Sequence, residues 1–194
     1  MRRKKEEHRP PTYYEFLMMH ELCSEEVQKE DAEILSRQPR PDILCGESVP
    51  KNLNGLSYGQ LDDLRNVNPE DDVACQLARV IFEKSLDLYD EDVNKVFGFI
   101  NFCTNELKRI NKLFESIQPK HTSEEIAAGV ENLNFGSFGV LDWYAKRMGI
   151  INQNDVRSVA WVRIFTCMKN DHMQQEFERR LQDVYMHKNT PKTH

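Results

Sequence analysis

Between Asp92 and Gln118 the apolar residues recur in steps of three and four: Val93, Val96, Phe97, Ile100, Cys103, Leu107, Ile110, Phe114 and Ile117. Lys95, Glu106, Lys108, Lys112 and Glu115 fall between them. That period puts one apolar stripe on a long helix, and such a stripe must be buried against other helices. Upstream, Val73, Leu77, Val80, Ile81 and Leu88 make a second apolar face. Asn68-Pro69-Glu70-Asp71-Asp72 is expected to start that helix: asparagine caps, proline fits the first turn, and acids favour the positive end of the dipole. With a brief break at Tyr89-Asp90, the two helices predict an antiparallel hairpin at the core of a mainly α, multi-helix bundle. Pro119 stops the second of them.

Shorter helices surround this core. Thr12 can cap a helix through Phe16, Leu17 and His20, with a restart at Ser24-Glu25-Glu26. Pro39 and Pro41 end it. Residues 37–55, with Pro39, Pro41, Gly46, Pro50 and Gly55, predict a non-helical linker, either a functional arm or a strap packed across a neighbour. Ser57 and Gln60 form a capping-box pair for a short helix bearing Leu61 and Leu64, and Thr122 with Glu125 forms another. Phe135-Gly136-Ser137-Phe138-Gly139 reads as punctuation before a helix ending at Met148, with Gly149 as its left-handed stop. Asn152-Gln153-Asn154-Asp155 is expected to start the next helix. Asn170-Asp171 is expected to start a last one bearing Phe177, Leu181, Val184 and Tyr185. No alternating pattern is long enough for a sheet. The organisation expected is an amino-terminal arm, helix and proline-rich linker over 1–54 that reaches outward, a helical domain over 55–187, and a polar tail over 188–194.

Composition narrows the function classes. Hydrophobic residues make up 39% and charged residues 30% of 194, and the formal net charge is −6. That balance argues against general nucleic-acid binding, which runs on phosphate neutralisation. Cys23, Cys45, Cys75, Cys103 and Cys167 are scattered, with no CxxC pair, and read as free thiols of a reducing cytosol. No apolar run approaches the roughly 18–20 residues of a membrane-spanning helix. Met1-Arg2-Arg3-Lys4-Lys5 lacks the apolar stretch of a signal peptide. P-loop, GxGxxG, HExxH, GxSxG and EF-hand patterns are missing. His20, His121 and His172 stand alone in sequence, so no metal, cofactor or catalytic residue is expected, and the chain reads as no enzyme.

Two constellations remain. Tyr144 to Ile150, then a helix from about Asn154, has the order of a helix-turn-helix DNA regulator, with Lys146, Arg147, Arg157 and Arg163 available to phosphates. The apolar middle Val159-Ala160-Trp161-Val162 favours core packing over a groove-reading helix. The other constellation is a protein-binding face. Its candidates are Tyr13, Tyr14, Phe16, Met18 and Met19 on the first helix, Tyr58, and Phe135, Phe138, Trp143, Tyr144 and Trp161. Aromatic residues and methionine are what such faces enrich, although the same side chains also fill cores.

The stretch Leu56-Ser57-Tyr58-Gly59-Gln60-Leu61-Asp62-Asp63-Leu64 resembles a phrase of small helical morphogenesis proteins of tailed bacteriophages. Leu141-Asp142-Trp143-Tyr144-Ala145-Lys146-Arg147-Met148-Gly149-Ile150, then Asp155-Val156 and Trp161-Val162-Arg163-Ile164, is similar to the carboxy-terminal pattern of tail assembly chaperones. Together the matched stretches span residues 56–170. The resemblance implies a non-enzymatic virion assembly or structural protein without a cofactor. It would bind other phage proteins in the tail or connector, among them a tape-measure protein, ring neighbours or further copies of itself. It would reside in the host cytoplasm during assembly. The extension over residues 1–55, outside the match, suits a subunit that threads onto neighbours in a ring.

Overall fold

In the computed structural model, which describes residues 9–119, 121–133 and 135–189, the first helix starts where its cap predicts. Thr12 accepts from Glu15 N at 3.2 Å while the Glu15 carboxylate accepts from Thr12 N at 2.8 Å, and α1 runs over Tyr13–His20. α2 follows over Glu25–Leu35 with Ser24 at its cap, so the restart after His20 is present. The basic run over residues 2–5 and the polar residues 190–194 lie outside the described residues. The protein is mainly α, with one two-stranded ribbon, β1 (Ile43–Leu44) antiparallel to β2 (Glu47–Ser48). Cys45 and Gly46 turn that ribbon at φ 47° and 81°. Two positive φ values are what a tight two-residue hairpin requires. Asparagine or glycine usually meets the first of them, and here Cys45 is held by Cys45 N donating to Glu91 and its Sγ contacting the Asp87 carbonyl.

The remaining helices are α3 (Tyr58–Arg65), α4 (Val73–Phe82), α5 (Val93–Glu115), α6 (Ser123–Ala127), α7 (Gly136–Met148) and α8 (Trp161–Asn189). Short 3-10 turns occupy Val130–Asn132 and Gln153–Ser158. Among the described residues no helix is long and apolar enough to cross a membrane.

The chain forms two compact units, residues up to Leu53 with Asp63–Arg109, and Asn54–Asp62 with the chain from Ile110 on. In the first unit the core holds Leu35, Leu44, Leu53, Leu77, Leu88, Val96, Phe99 and Phe102. Phe82 of α4 stacks on Phe99 of α5 at 5.8 Å between ring centroids. The helix and linker expected to reach outward instead pack within this unit. Asn101 Nδ2 donates to Leu35 O at 2.7 Å, Leu53 N donates to Glu106 Oε2 at 2.9 Å, and Lys84 pairs with Glu47 at 2.7 Å. At Gly98 an added Cβ would stand 2.1 Å from Pro39 O. The linker's proline backbone, short of N–H donors, lies against a bare stretch of helix.

In the second unit the core holds Leu61, Ile110, Leu141, Tyr144, Val156, Trp161 and Ile164. Its backbone is stitched by an antiparallel bridge: Tyr58 N donates to Val159 O at 2.8 Å and Trp161 N to Leu56 O at 3.2 Å. That bridge sets the starts of α3 and α8 side by side.

Several boundaries differ from the sequence reading. α4 begins after Asp72, whose carboxylate accepts from Cys75 N at 3.0 Å, and Asn68 instead caps the turn Glu70 N closes. Asp72 wins because Asn68-Pro69 is followed by a run of acids that satisfies the turn locally. α4 stops at Glu83, in the left-handed region at φ 56°, and Leu88 is buried from the loop rather than from the helix. The join to α5 is therefore long. Gly136 and Gly139 lie inside α7, with Gly139 closely backed by Phe135, instead of punctuating the chain before it. Asn152 caps the 3-10 turn and not a helix. Asn170-Asp171 starts nothing, for α8 is continuous over Trp161–Asn189. Aspartate at a mid-helix position is tolerated here because it pairs with Arg147.

The close approach at Gly98 makes Gly98→Ala costly, about 2–4 kcal/mol, since backbone must move. Gly55→Ala, with open space around it, should stay within roughly 0.5 kcal/mol. Urea midpoints at neutral pH compare the two. Glu106 generates a pH dependence. Hydrogen bonds from Arg109, and one from Leu53 N, hold its carboxyl below the usual value near 4.5. A depressed folded-state value adds stability that is present above about 4.5 and is lost as the pH falls through the folded value. Glu106→Gln should therefore cost on the order of 1 kcal/mol at pH 7 and flatten stability against pH below that point, read by denaturation at a series of pH values.

Candidate protein-binding surfaces

α1 is apolar on two sides. One side is anchored. Tyr13 is buried, its N–H donates to Glu91 O at 2.8 Å, and its hydroxyl lies 3.3 Å from Asp72 Oδ1. Its ring stacks on Tyr89 and meets Phe97 edge-on. Burial, with Asp72 adding to it, raises the phenol well above its ordinary value. Phe16 is half-buried, stacked on His20 at 4.8 Å and edge-on to Phe97 at 5.3 Å. The other side is open. Tyr14, Met18 and Leu22 follow one another at steps of four, 53%, 55% and 88% exposed, and Met19 is 62% exposed.

Candidates in the second unit divide the same way. Tyr58, Tyr144 and Trp161 are buried, so together with Tyr13 they are core residues that no docking partner reaches. The reason is local. Tyr58 and Trp161 flank the backbone bridge, and Trp161 packs against Phe114 and Phe165 at 6.1 and 6.3 Å. Phe135 and Phe138 are exposed. Trp143 is half-buried. Arg147 lies 5.6 Å over its ring, and Arg147 also donates to Asp171 at 2.6 Å. Trp143 lines an open groove of about 180 Å³ with Ile117, Met168, Asp171, His172 and Gln175.

Sequence reasoning missed a further open tract among the described residues. In α8, Met173, Phe177, Leu181, Val184, Tyr185 and Met186 are all exposed. Their helical spacing was legible, but spacing alone does not distinguish a face turned to the core from one turned to water.

The helix-turn-helix order is not realised as a tight turn. Residues 149–160 separate α7 from α8 and include the 3-10 segment. Lys146 pairs with Asp142 at 2.7 Å, Arg147 with Asp171, and Arg157 with Asp62 at 3.0 Å. Three of the four basic side chains thus already face carboxylates.

The groups most able to do chemistry sit in the first unit. Asp72, Cys75, Gln76, Arg79 and Ser85 line a groove of about 340 Å³. Burial pushes the Cys75 and Cys45 thiols up to about 11, with neighbouring acids adding to the shift. Burial raises the Cys103 thiol further. Such thiols are poor nucleophiles. Among the described residues no group of three His, Cys, Asp or Glu side chains could hold a metal ion.

The chain matches no protein-family model, and neither curated proteins nor solved structures show significant similarity to it.

The split between buried and open aromatics has a direct consequence. Trp161→Ala and Tyr144→Ala should each cost about 3–5 kcal/mol, whereas Tyr14→Ser and Phe138→Ser should stay within about 0.5 kcal/mol. Thermal and urea unfolding of the four variants reads the difference.

Proposed function

We propose that the chain is a non-enzymatic assembly protein of a tailed bacteriophage, working by contact with other polypeptides in the tail or connector. One observation carries this reading: large apolar side chains stand in water at helical spacing. On α1 these are Tyr14 and Met18, with Met19 beside them and Leu22 in the turn just past the helix. Exposed apolar tracts of this kind mark sites of association. Flexible methionines suit a surface that adapts to its partner.

The phage context comes from the resemblance over residues 56–170. The two stretches that carry it, around Tyr58 and around Trp161, are joined by backbone hydrogen bonds in one unit. That pairing supports treating them as one structural module.

The test mixes the full-length chain with tape-measure protein and with candidate ring neighbours of a tailed phage, followed by size-exclusion chromatography. A stable complex with at least one of them is expected. Met18→Glu with Met19→Glu should weaken it about tenfold or more, with helicity unchanged. Absence of any complex overturns the reading. So does a low-salt shift of duplex DNA that Arg163→Glu abolishes, which would make the chain a DNA-binding protein instead.

A further inference from the structure

From Met173 to Met186 every side chain of α8 is exposed except half-buried Glu176. Met173, Phe177, Leu181 and Val184 follow at steps of four, four and three. At about 100° per residue that keeps them within roughly 40° of one line along the helix. They are 59%, 57%, 37% and 49% exposed, and Tyr185 beside them is 56% exposed. A narrow apolar line on an otherwise mostly polar, solvated stretch of helix, with Met186 alone on the opposite side, is the pattern of a helix-pairing seam.

We propose that this line is the seam through which two copies of the chain associate, α8 against α8 and antiparallel. Charge selects both the partner and the direction. Glu176 and Arg180 lie on the same flank of the line. With a two-fold axis beside Glu178, Glu176 of one copy faces Arg180 of the second, and Arg180 of the first faces Glu176 of the second. One symmetry operation makes both contacts, as a self-complementary patch requires. Parallel pairing would set this flank against Gln174, Glu178 and Tyr185, where only Arg180 meets an opposite charge.

The antiparallel register also interleaves the apolar line. The two Phe177 rings meet at the centre. Leu181 of one copy enters between Met173 and Phe177 of the other, and Val184 reaches Met173. The area fits a reversible dimer. Large side chains offer on the order of 150–250 Å² each, so these five expose about 500 Å² per copy, against roughly 800 Å² per partner in a standard interface.

This pairing rests on the reading of the chain as a contact module, and sedimentation equilibrium of the 194-residue chain over a hundredfold concentration range tests it. The mass should rise with concentration from 22.8 kDa toward twice that value. Phe177→Glu with Leu181→Glu should hold it at the single-chain mass, with circular dichroism unchanged because both positions are exposed. Glu176→Arg and Arg180→Glu should each weaken association several-fold, and the two together in one chain should restore it. A single-chain mass throughout overturns the proposal. So does a dimer that the seam variant leaves intact, one that the combined charge reversal weakens further than either alone, or an assembly larger than two. A monomer that still captures a phage structural protein removes the pairing only. A dimer that captures none removes the assembly role and leaves the pairing standing.

Discussion

A helix with apolar side chains along one face is marginal in water until that face is covered. α5 carries this demand further than any other element of the described chain. Up to Arg109 its stripe is covered within the first unit, where Val93, Val96 and Cys103 are buried and Phe99, outside the stripe, is buried with them. From Ile110 the covering elements belong to the second unit, where Ile110 is fully buried and Phe114 meets Trp161 and Phe165. The proline-rich linker is drawn onto the same helix, and Gly98 is what lets its backbone come so near. A connection without a periodic pattern of its own thereby acquires a fixed course.

What could be read from the sequence was what is local. The capping boxes at Ser57 and Thr122 form as their residue pairs imply, and Thr12 caps α1 as expected, with Glu15 completing a box there, because these hydrogen bonds close within one turn. Gly149 stops α7 at φ 66° for an equally local reason. The helix starts at Asn68, Asn152 and Asn170 did not hold. Asparagine satisfies a bend or a 3-10 turn as readily as a helix cap, and its identity alone does not select among them.

Which of the candidate aromatic and methionine side chains are exposed was half legible for a related reason. Aromatic identity says that a side chain seeks cover, not which cover it finds. Tyr13, Tyr58, Tyr144 and Trp161 found it inside the fold; Tyr14, Met18, Met19, Phe135 and Phe138 did not. The line on α8 is visible in the sequence as spacing, which does not say whether it faces a core or water. What distinguishes it is that the exposed stretch makes up the second half of a continuous 29-residue helix.

Three of the five cysteines sit where proton loss is disfavoured. A thiol titrating near 11 is ionised on the order of one part in ten thousand at neutral pH. Disulfide exchange and alkylation both proceed through the ionised form. Cys45, Cys75 and Cys103 should therefore be slow to cross-link in air or to take up maleimide labels.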